Sequence, residues 1–235
     1  MSSGLGSEYD YSGADNLDVM RFAVQYNAAL VNLIRKYAGR GRTLDFGAGI
    51  GTFSKLLDHD GYRVECLEPD AAMAARLTDA GFLVHDSLQR TPDTSFDIVI
   101  MLNVLEHIED DAGILREIKG KLAPGGRLFI YVPAFQMLYS SMDKKVGHVR
   151  RYTRKTLAKC LDDAGYNIIV AKYSDSMGFL ASIAFKVFGS SDGTITESSI
   201  RKYDRWFFPA SAVADRVCNN IFGKNVFVVA QAADT

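Results

Sequence analysis

"RTLDFGAGIGTFSKLL", residues 42–57, reads as a short apolar strand, a turn with glycines at 47, 49 and 51, and an amphipathic helix. Glycine at such a turn lets the backbone bend tightly and lets a ligand touch the main chain. A strand feeding a helix through a glycine turn is the opening unit of an α/β sheet, which binds its ligand beyond the strand ends. The spacing departs from two phosphate loops. The third glycine comes one position too early for G-x-G-x-x-G, and Gly51 is followed by Thr52 and Phe53 rather than by Lys-Ser/Thr. Asp45, just before the turn, would repel a pyrophosphate but could bind an ammonium, directly or through water.

Outward from this stretch, apolar strands and amphipathic helices alternate. "YRVECLEPD", "FLVHDS", "FDIVIMLNV" and "RLFIYVPA" read as strands, and "AAMAARLTDA" and "EDDAGILREIKGKL" as helices, the second closed by "APGG". Upstream, residues 17–38 carry apolar side chains at helical spacing from Val19 to Tyr37 and stop at Gly39 and Gly41. Nearly continuous Val/Ile/Leu strands predict a parallel sheet with helices on both faces. Right-handed crossovers then gather the loops after Phe46, Leu67 and Leu102 on one edge. Further on, "TRKTLAKCLDDAGY" predicts a helix from Thr153, and "NIIVAKYS" and "NVFVVAQA" two more strands. Residues 175–224 between them hold two apolar helical stretches, a folded cap rather than a loose loop. Pro209 is expected to break the second helix. The domain reading is a flexible start at 1–14 and one domain over 15–235.

Bulk composition fits this. The chain has 235 residues, 48% hydrophobic and 23% charged, with a formal net charge of −1. That balance gives no electrostatic pull toward nucleic acid or an anionic membrane. Cys66, Cys160 and Cys218 are odd in number and widely spaced, which fits neither a disulfide framework nor a metal motif. The start lacks a signal-peptide pattern and no apolar run reaches the ~20 residues of a membrane span, so a cytoplasmic setting is expected.

Glu68 ends the second strand, where a carboxylate can take both hydroxyls of a ribose. A ligand with an ammonium, a ribose and no phosphate satisfies Asp45 and Glu68 together, and S-adenosylmethionine is such a ligand. The blocks "LDFGAGIGTFS", "CLEPD", "HDSL", "FDIVIMLNVLEHIED" and "LAPGGRLFIYVP" resemble, in order and spacing, class I S-adenosylmethionine-dependent methyltransferases, particularly the small-molecule group with the ubiquinone-biosynthesis enzymes. The resemblance covers residues 40 to 135 most strongly. It implies a Rossmann-like, mostly parallel seven-stranded sheet with an antiparallel C-terminal strand and a helical cap insertion. It also implies S-adenosyl-L-methionine as cofactor, leaving as S-adenosyl-L-homocysteine.

Carried over by residue, the resemblance implies that Gly47, Ala48, Gly49 and Gly51 approach the cofactor by backbone while Asp45 supports its amino group. Glu68 then binds the ribose and Pro69 packs near the adenine. Asp86 receives the adenine amino group, with Ser87 and Leu88 beside it by backbone. Asn103 and Val104 lie under the methionine end, and His107 closes the site. Asp86 could instead be a cap, and His107 a structural histidine. Glu106 could serve structural hydrogen bonding or the site. Asp110 and Asp111 read as first-turn acids matched to a helix dipole.

The acceptor side is expected in "YSSMDKKVGHVRRYTRKTL", which follows the fifth strand. His148 could take a proton from a hydroxyl, while Arg150, Arg151 and Tyr152 could hold an acceptor carboxylate or phosphate. A solvated basic turn is the plainer alternative. The "D…GH-x-RRYT" block resembles a subgroup found with bacterial glycan and natural-product enzymes, which implies O-methylation of a hydroxyl or carboxyl on a sugar-containing or natural-product acceptor. The aromatics Phe179, Phe185, Phe188, Trp206, Phe207 and Phe208 could pack a core, form a homodimer face or cap a hydrophobic or lipid-linked acceptor. No metal site is expected, because no second ligand cluster stands out in the linear sequence. Nucleic acid is not expected as a partner: "LNVLEH" replaces the Asn/Asp-Pro-Pro-aromatic block of base-amino methylating enzymes. A nicotinamide oxidoreductase and a non-catalytic cofactor-binding partner are the alternatives. Calorimetric titration with S-adenosylmethionine and with NAD separates the first, and product formation by the isolated chain the second.

Overall fold

The computed structural model describes residues 20–188 and 196–233. The expected flexible start at 1–14 and the first residues of the expected 17–38 helix lie outside them. Seven strands form one sheet: β1 (Arg42–Phe46), β2 (Arg63–Leu67), β3 (Leu83–His85), β4 (Phe96–Leu102), β5 (Leu122–Pro133), β6 (Tyr166–Ser174) and β7 (Asn225–Ala232). Their order is β3-β2-β1-β4-β5-β7-β6, with β7 antiparallel to both neighbours. The chain leaves β1 toward β2 on one side, and β4 takes the other. A crevice therefore opens beyond the ends of β1 and β4, the switch point where such sheets bind ligands.

Side-chain alternation on β4 explains the layering. Val99 and Met101 join Leu44, Leu128 and Ile130 in one core, under α4 (Asp111–Lys119) and α6 (Arg154–Asp163). Ile98, Ile100 and Leu102 face the opposite core with Phe129 and Phe227, under α1 (Val24–Tyr37) and α2 (Thr52–His59). Both faces of the strand are buried, which is why its sequence is a continuous apolar run. Two expected boundaries shift. α4 ends at Lys119, and β5 already starts at Leu122, paired with Phe96 before a register shift, so "APGG" lies within the strand.

α3 (Ala71–Asp79) and α5 (Ser141–Lys145) complete the helices before the insertion. The insertion itself carries α7 (Ser176–Phe188), α8 (Glu197–Lys202), a π-helical turn (Tyr203–Phe207) and α9 (Phe208–Cys218). Pro209 does not end a helix as expected. It lies in the first turn of α9, where its missing N–H costs nothing, and the π turn precedes it. Phe179 packs on Phe135 and Phe222, and Phe208 is buried against Tyr26, whereas Trp206 and Phe207 are exposed. The side chains of Phe185 and Phe188 lie outside the description. The insertion is fastened to the body through Asp204. Its carboxylate accepts from the backbone N–H groups of Gln25 and Tyr26, both at 2.9 Å, while the Gln25 amide donates to the Asp204 carbonyl. α1 has Ala23 at its N-cap and so lacks a local side-chain acceptor; a residue 179 positions away supplies one. No helix among the described residues is long and apolar enough to cross a membrane.

Candidate functional site

The glycine turn stands at the crevice. The N–H groups of Gly47 and Ala48 both donate to the Leu67 carbonyl, which ties the turn to the end of β2. Gly47, at φ +75°, abuts β4: a Cβ there would lie 2.7 Å from the Val104 side chain. Gly49, at φ +56°, donates its N–H to Glu68 Oε2 at 2.7 Å, and Asp70 N–H donates to Glu68 Oε1 at 3.0 Å. The group that a phosphate would need is therefore engaged by a buried carboxylate. Pyrophosphate and Glu68 cannot share it without like-charge repulsion.

Asp45 is buried and accepts a 2.6 Å hydrogen bond from Ser54 in the first turn of α2, a partner the sequence reading missed. Burial pushes its carboxyl up to about 6 despite that bond, with Glu68 adding to the rise; burial also raises Glu68. The charge of both acids is therefore costly in the protein alone. Asn103 is exposed at the end of β4 with φ +56°, and its N–H donates to the Tyr131 carbonyl. A non-glycine residue held in the left-handed region at a strand end is strain of the kind that collects at binding sites. Pro69 is exposed, Leu88 is buried, and the exposed Asp86 is engaged by Arg90 at 2.5 Å and Ser87 at 3.0 Å. The Cys66 thiol is fully buried and pushed up to about 12 by burial, an inert packing group.

Next to Val104 lies the short 3₁₀ turn Leu105–His107. Glu106 is fully buried, and neither of its carboxylate oxygens has a hydrogen-bond partner. Burial pushes its carboxyl up to about 8. His148 lies across from it, with Nε2 3.7 Å from Glu106 Oε1 and its ring edge-on to His107 at 4.7 Å. His148 Nδ1 donates to Asp143 Oδ1 at 2.7 Å, which fixes the tautomer and turns Nε2 toward Glu106. Burial and then His148 push His107 down to about 4, so this imidazole is neutral near pH 7.

Asp143 organises this side. In the α5 capping box it accepts from the Ser140 backbone, and it receives Arg151 through two donors at 2.8 and 2.9 Å. Although burial opposes its charge, the bonds from His148 and Arg151 hold its carboxyl well below the ordinary range. This revises the expected acceptor clamp. Arg151 is 10% exposed, and its third donor goes to the Ala134 carbonyl. Tyr152 is buried and donates to Asp111, while Arg150 pairs with Asp111 and the Glu109 carbonyl. Arg151 turns inward onto the buried Asp143, while Asp111, half-buried, engages Tyr152 and the partly exposed Arg150. Asp111 lies in the first turn of α4 as expected and also serves this network, whereas Asp110 is the N-cap and accepts from Gly113 N–H. Folding brings Glu106, His107 and His148, which the linear sequence does not group, within 4.8 Å of one another by one donor atom each.

Residues 21–171 match the family described as "Methyltransferase domain". This chain belongs to that family. It has the fold of the class I S-adenosylmethionine-dependent methyltransferases. It is similar to the "Ubiquinone biosynthesis O-methyltransferase" of Xanthomonas euvesicatoria, 33% identical over 99 residues that span 38% of this chain and 41% of that protein. The match to this curated relative thus spans about two fifths of its length. In fold the methyltransferase resembles a SAM-dependent methyltransferase from Archaeoglobus fulgidus (TM-score 0.61, 19% identity, 92% of this chain and 98% of that one). It also resembles phosphoethanolamine N-methyltransferase 2 of Haemonchus contortus in complex with S-adenosyl-L-methionine (TM-score 0.62, 15% identity, 100% of this chain and 62% of that one).

Proposed function

We propose that this methyltransferase transfers the methyl group to an oxygen of a small molecule, with His148 as the residue that acts on the acceptor. The supporting observation is the buried Glu106–His148–Asp143 line beside the cofactor seat. When bound, S-adenosylmethionine supplies a methyl group on a sulfonium, and in-line positioning of the two reactants contributes roughly 7–11 kcal/mol in favourable systems. Asp45 would receive its amino group and Glu68 the ribose hydroxyls. Gly47, Ala48, Gly49 and Gly51 would meet it by backbone, and Pro69, Asp86, Ser87 and Leu88 would flank the adenine. Asn103, Val104 and His107 would lie toward the methionine end. His148, its tautomer set by Asp143, presents a lone pair to an incoming hydroxyl. Arg151 and Tyr152 position that loop.

The ubiquinone-biosynthesis relatives are named O-methyltransferases, which supports an oxygen acceptor, and a hydroxyl or carboxyl on a sugar-containing or natural-product molecule is the class proposed here. The aromatic contacts of Phe135, Phe179 and Phe222 at the insertion suit an acceptor with an apolar part, lipid-linked molecules included. Mass spectrometry of candidate acceptors incubated with deuterated-methyl cofactor tests the reading. Labelled ethers or esters support it, and label found only on nitrogen or carbon counts against it. His148→Ala should lower turnover roughly 10²–10⁴-fold and leave cofactor affinity intact; full activity would remove His148 from the chemistry.

Cofactor affinity should also depend on pH in a defined direction. The Asp45 carboxyl lies above its unfolded value, at about 6 in the cofactor-free protein. Its charge therefore burdens the empty fold increasingly as pH rises from the ordinary carboxylate value toward 6 and by a constant amount above 6, and a bound ammonium offsets that burden. Below pH 6 the proton competes with the ammonium, and affinity should fall about tenfold per pH unit. Calorimetry across pH 5 to 7 reads this slope, and Asp45→Asn should flatten it. A slope that persists in Asp45→Asn would assign the dependence to another group.

A further inference from the structure

Glu106 poses a problem that the methyl-transfer reading leaves open. Its carboxylate is fully buried, and both oxygens are without a hydrogen-bond partner. Protonation, favoured by burial, removes the charge but still leaves buried polar atoms without partners, and buried polar groups are ordinarily hydrogen-bonded or coordinated to a metal. The donors that face it are not close enough to satisfy it: His148 Nε2 stands 3.7 Å from Oε1, beyond hydrogen-bond length.

That separation suits an ion. At the ~2.0–2.2 Å typical of zinc with imidazole and carboxylate, two donors 3.7 Å apart subtend roughly 120° at the metal. With His107, the three donor atoms lie within 4.8 Å of one another, against the ~3.4 Å between donors of a tetrahedral zinc site, so the set closes by up to about 1.4 Å on loading.

The outer shell is already built. His148 donates Nδ1–H to Asp143, which is the carboxylate–histidine arrangement that orients a metal-bound imidazole and leaves Nε2 for the ion. Asp143 is itself fixed by the two bonds from Arg151. His107 is hydrogen-bonded to the Gly147 backbone, which fixes the second ring. Two imidazoles and one carboxylate suit zinc, cobalt or nickel rather than magnesium or calcium, which prefer all-oxygen sites.

We propose that Glu106, His107 and His148 form a three-ligand site for a divalent transition metal of the zinc class, with a remaining coordination position for the acceptor oxygen. The site deepens, and rests on, the reading of oxygen methylation beside the cofactor seat. His148 then acts on the acceptor through the ion: its Nε2 lone pair goes to the metal. The acceptor hydroxyl, bound at the open position, loses its proton to bulk buffer because the ion stabilises the alkoxide. No redox change is involved.

Chelator-stripped full-length protein titrated with Co²⁺ tests the site without relying on turnover. One equivalent should bind with an intense visible ligand-field band of four- or five-coordination, and Zn²⁺ should displace it. Glu106→Gln and His148→Ala should each weaken Co²⁺ binding by about a hundredfold or more, and Asp143→Asn by about 10–100-fold. Calorimetry with S-adenosylmethionine on the same variants verifies that they are folded. Absence of the band, as expected if ordered water alone satisfies Glu106, would overturn the site, as would undiminished binding by folded Glu106→Gln. Full methyl transfer in chelator together with no Co²⁺ binding would remove the metal and leave the methyl-transfer reading standing. Co²⁺ bound at these residues with no methylated oxygen in any acceptor would support the site and sink that reading.

Discussion

Gly49→Val should raise the dissociation constant for S-adenosylmethionine by about a hundredfold or more. Gly49 holds φ +56°, where a β-branched residue is a genuine outlier, and such strain costs on the order of 1–3 kcal/mol. Relief of that strain would rotate the peptide and break the 2.7 Å bond from Gly49 N–H to Glu68. A hydrogen bond to a charged group contributes about 1.5–3 kcal/mol. Together these reach roughly 3–6 kcal/mol, and each 1.4 kcal/mol is a factor of ten. Calorimetric titration reads the affinity, with circular dichroism checking the fold. Gly49→Ala, which can enter the left-handed region more easily, should lose only about tenfold. A valine variant that binds as tightly as the parent would mean that the turn does not carry the cofactor.

Asp143→Ala is the largest expected loss of stability, about 3–5 kcal/mol, because it strands a buried cation. Arg151, only 10% exposed, directs two of its donors at Asp143, and His148 directs a third. For a domain of this size that corresponds to a fall in Tm on the order of 10 °C. Replacing Arg151 as well, in Asp143→Ala/Arg151→Met, should recover part of the loss, since the double variant no longer buries an unpaired guanidinium. A fall of less than about 1 kcal/mol in the single variant would show that water reaches and solvates Arg151.

The sheet was legible because its cause is local. Continuous apolar runs such as "FDIVIMLNV" bury both faces, and Gly51, Gly61 and Gly81 punctuate the helices between strands. The approach of Asp45 and Glu68 was legible for a related reason: they stand at the ends of adjacent parallel strands, so their positions follow from the strand reading. The surroundings of His148 were much less so. A run of charges such as "DKKVGHVRR" reads as a solvated turn or a ligand clamp, because sequence does not say which arginine meets a buried acid. Arg151 turns inward only because the capping box of α5 places Asp143 beneath it. The Glu106–His148 approach joins residues 42 apart through a loop whose path is set by Val149 N–H donating to the Glu106 carbonyl. The one available signal was the pairing of "LEH" after the fourth strand with "GH" after the fifth, two histidine blocks that the topology sends to the same edge.

Asp204 has a consequence for engineering. The helix that precedes the glycine turn owes its first-turn acceptor to the segment between β6 and β7, so the two are not independent parts. A chimera that imports this segment from another family member, with the aim of changing acceptor preference, must import a carboxylate at the matching place. Otherwise the backbone amides of Gln25 and Tyr26 lose their acceptor, and a graft meant to alter selectivity would instead loosen the start of α1.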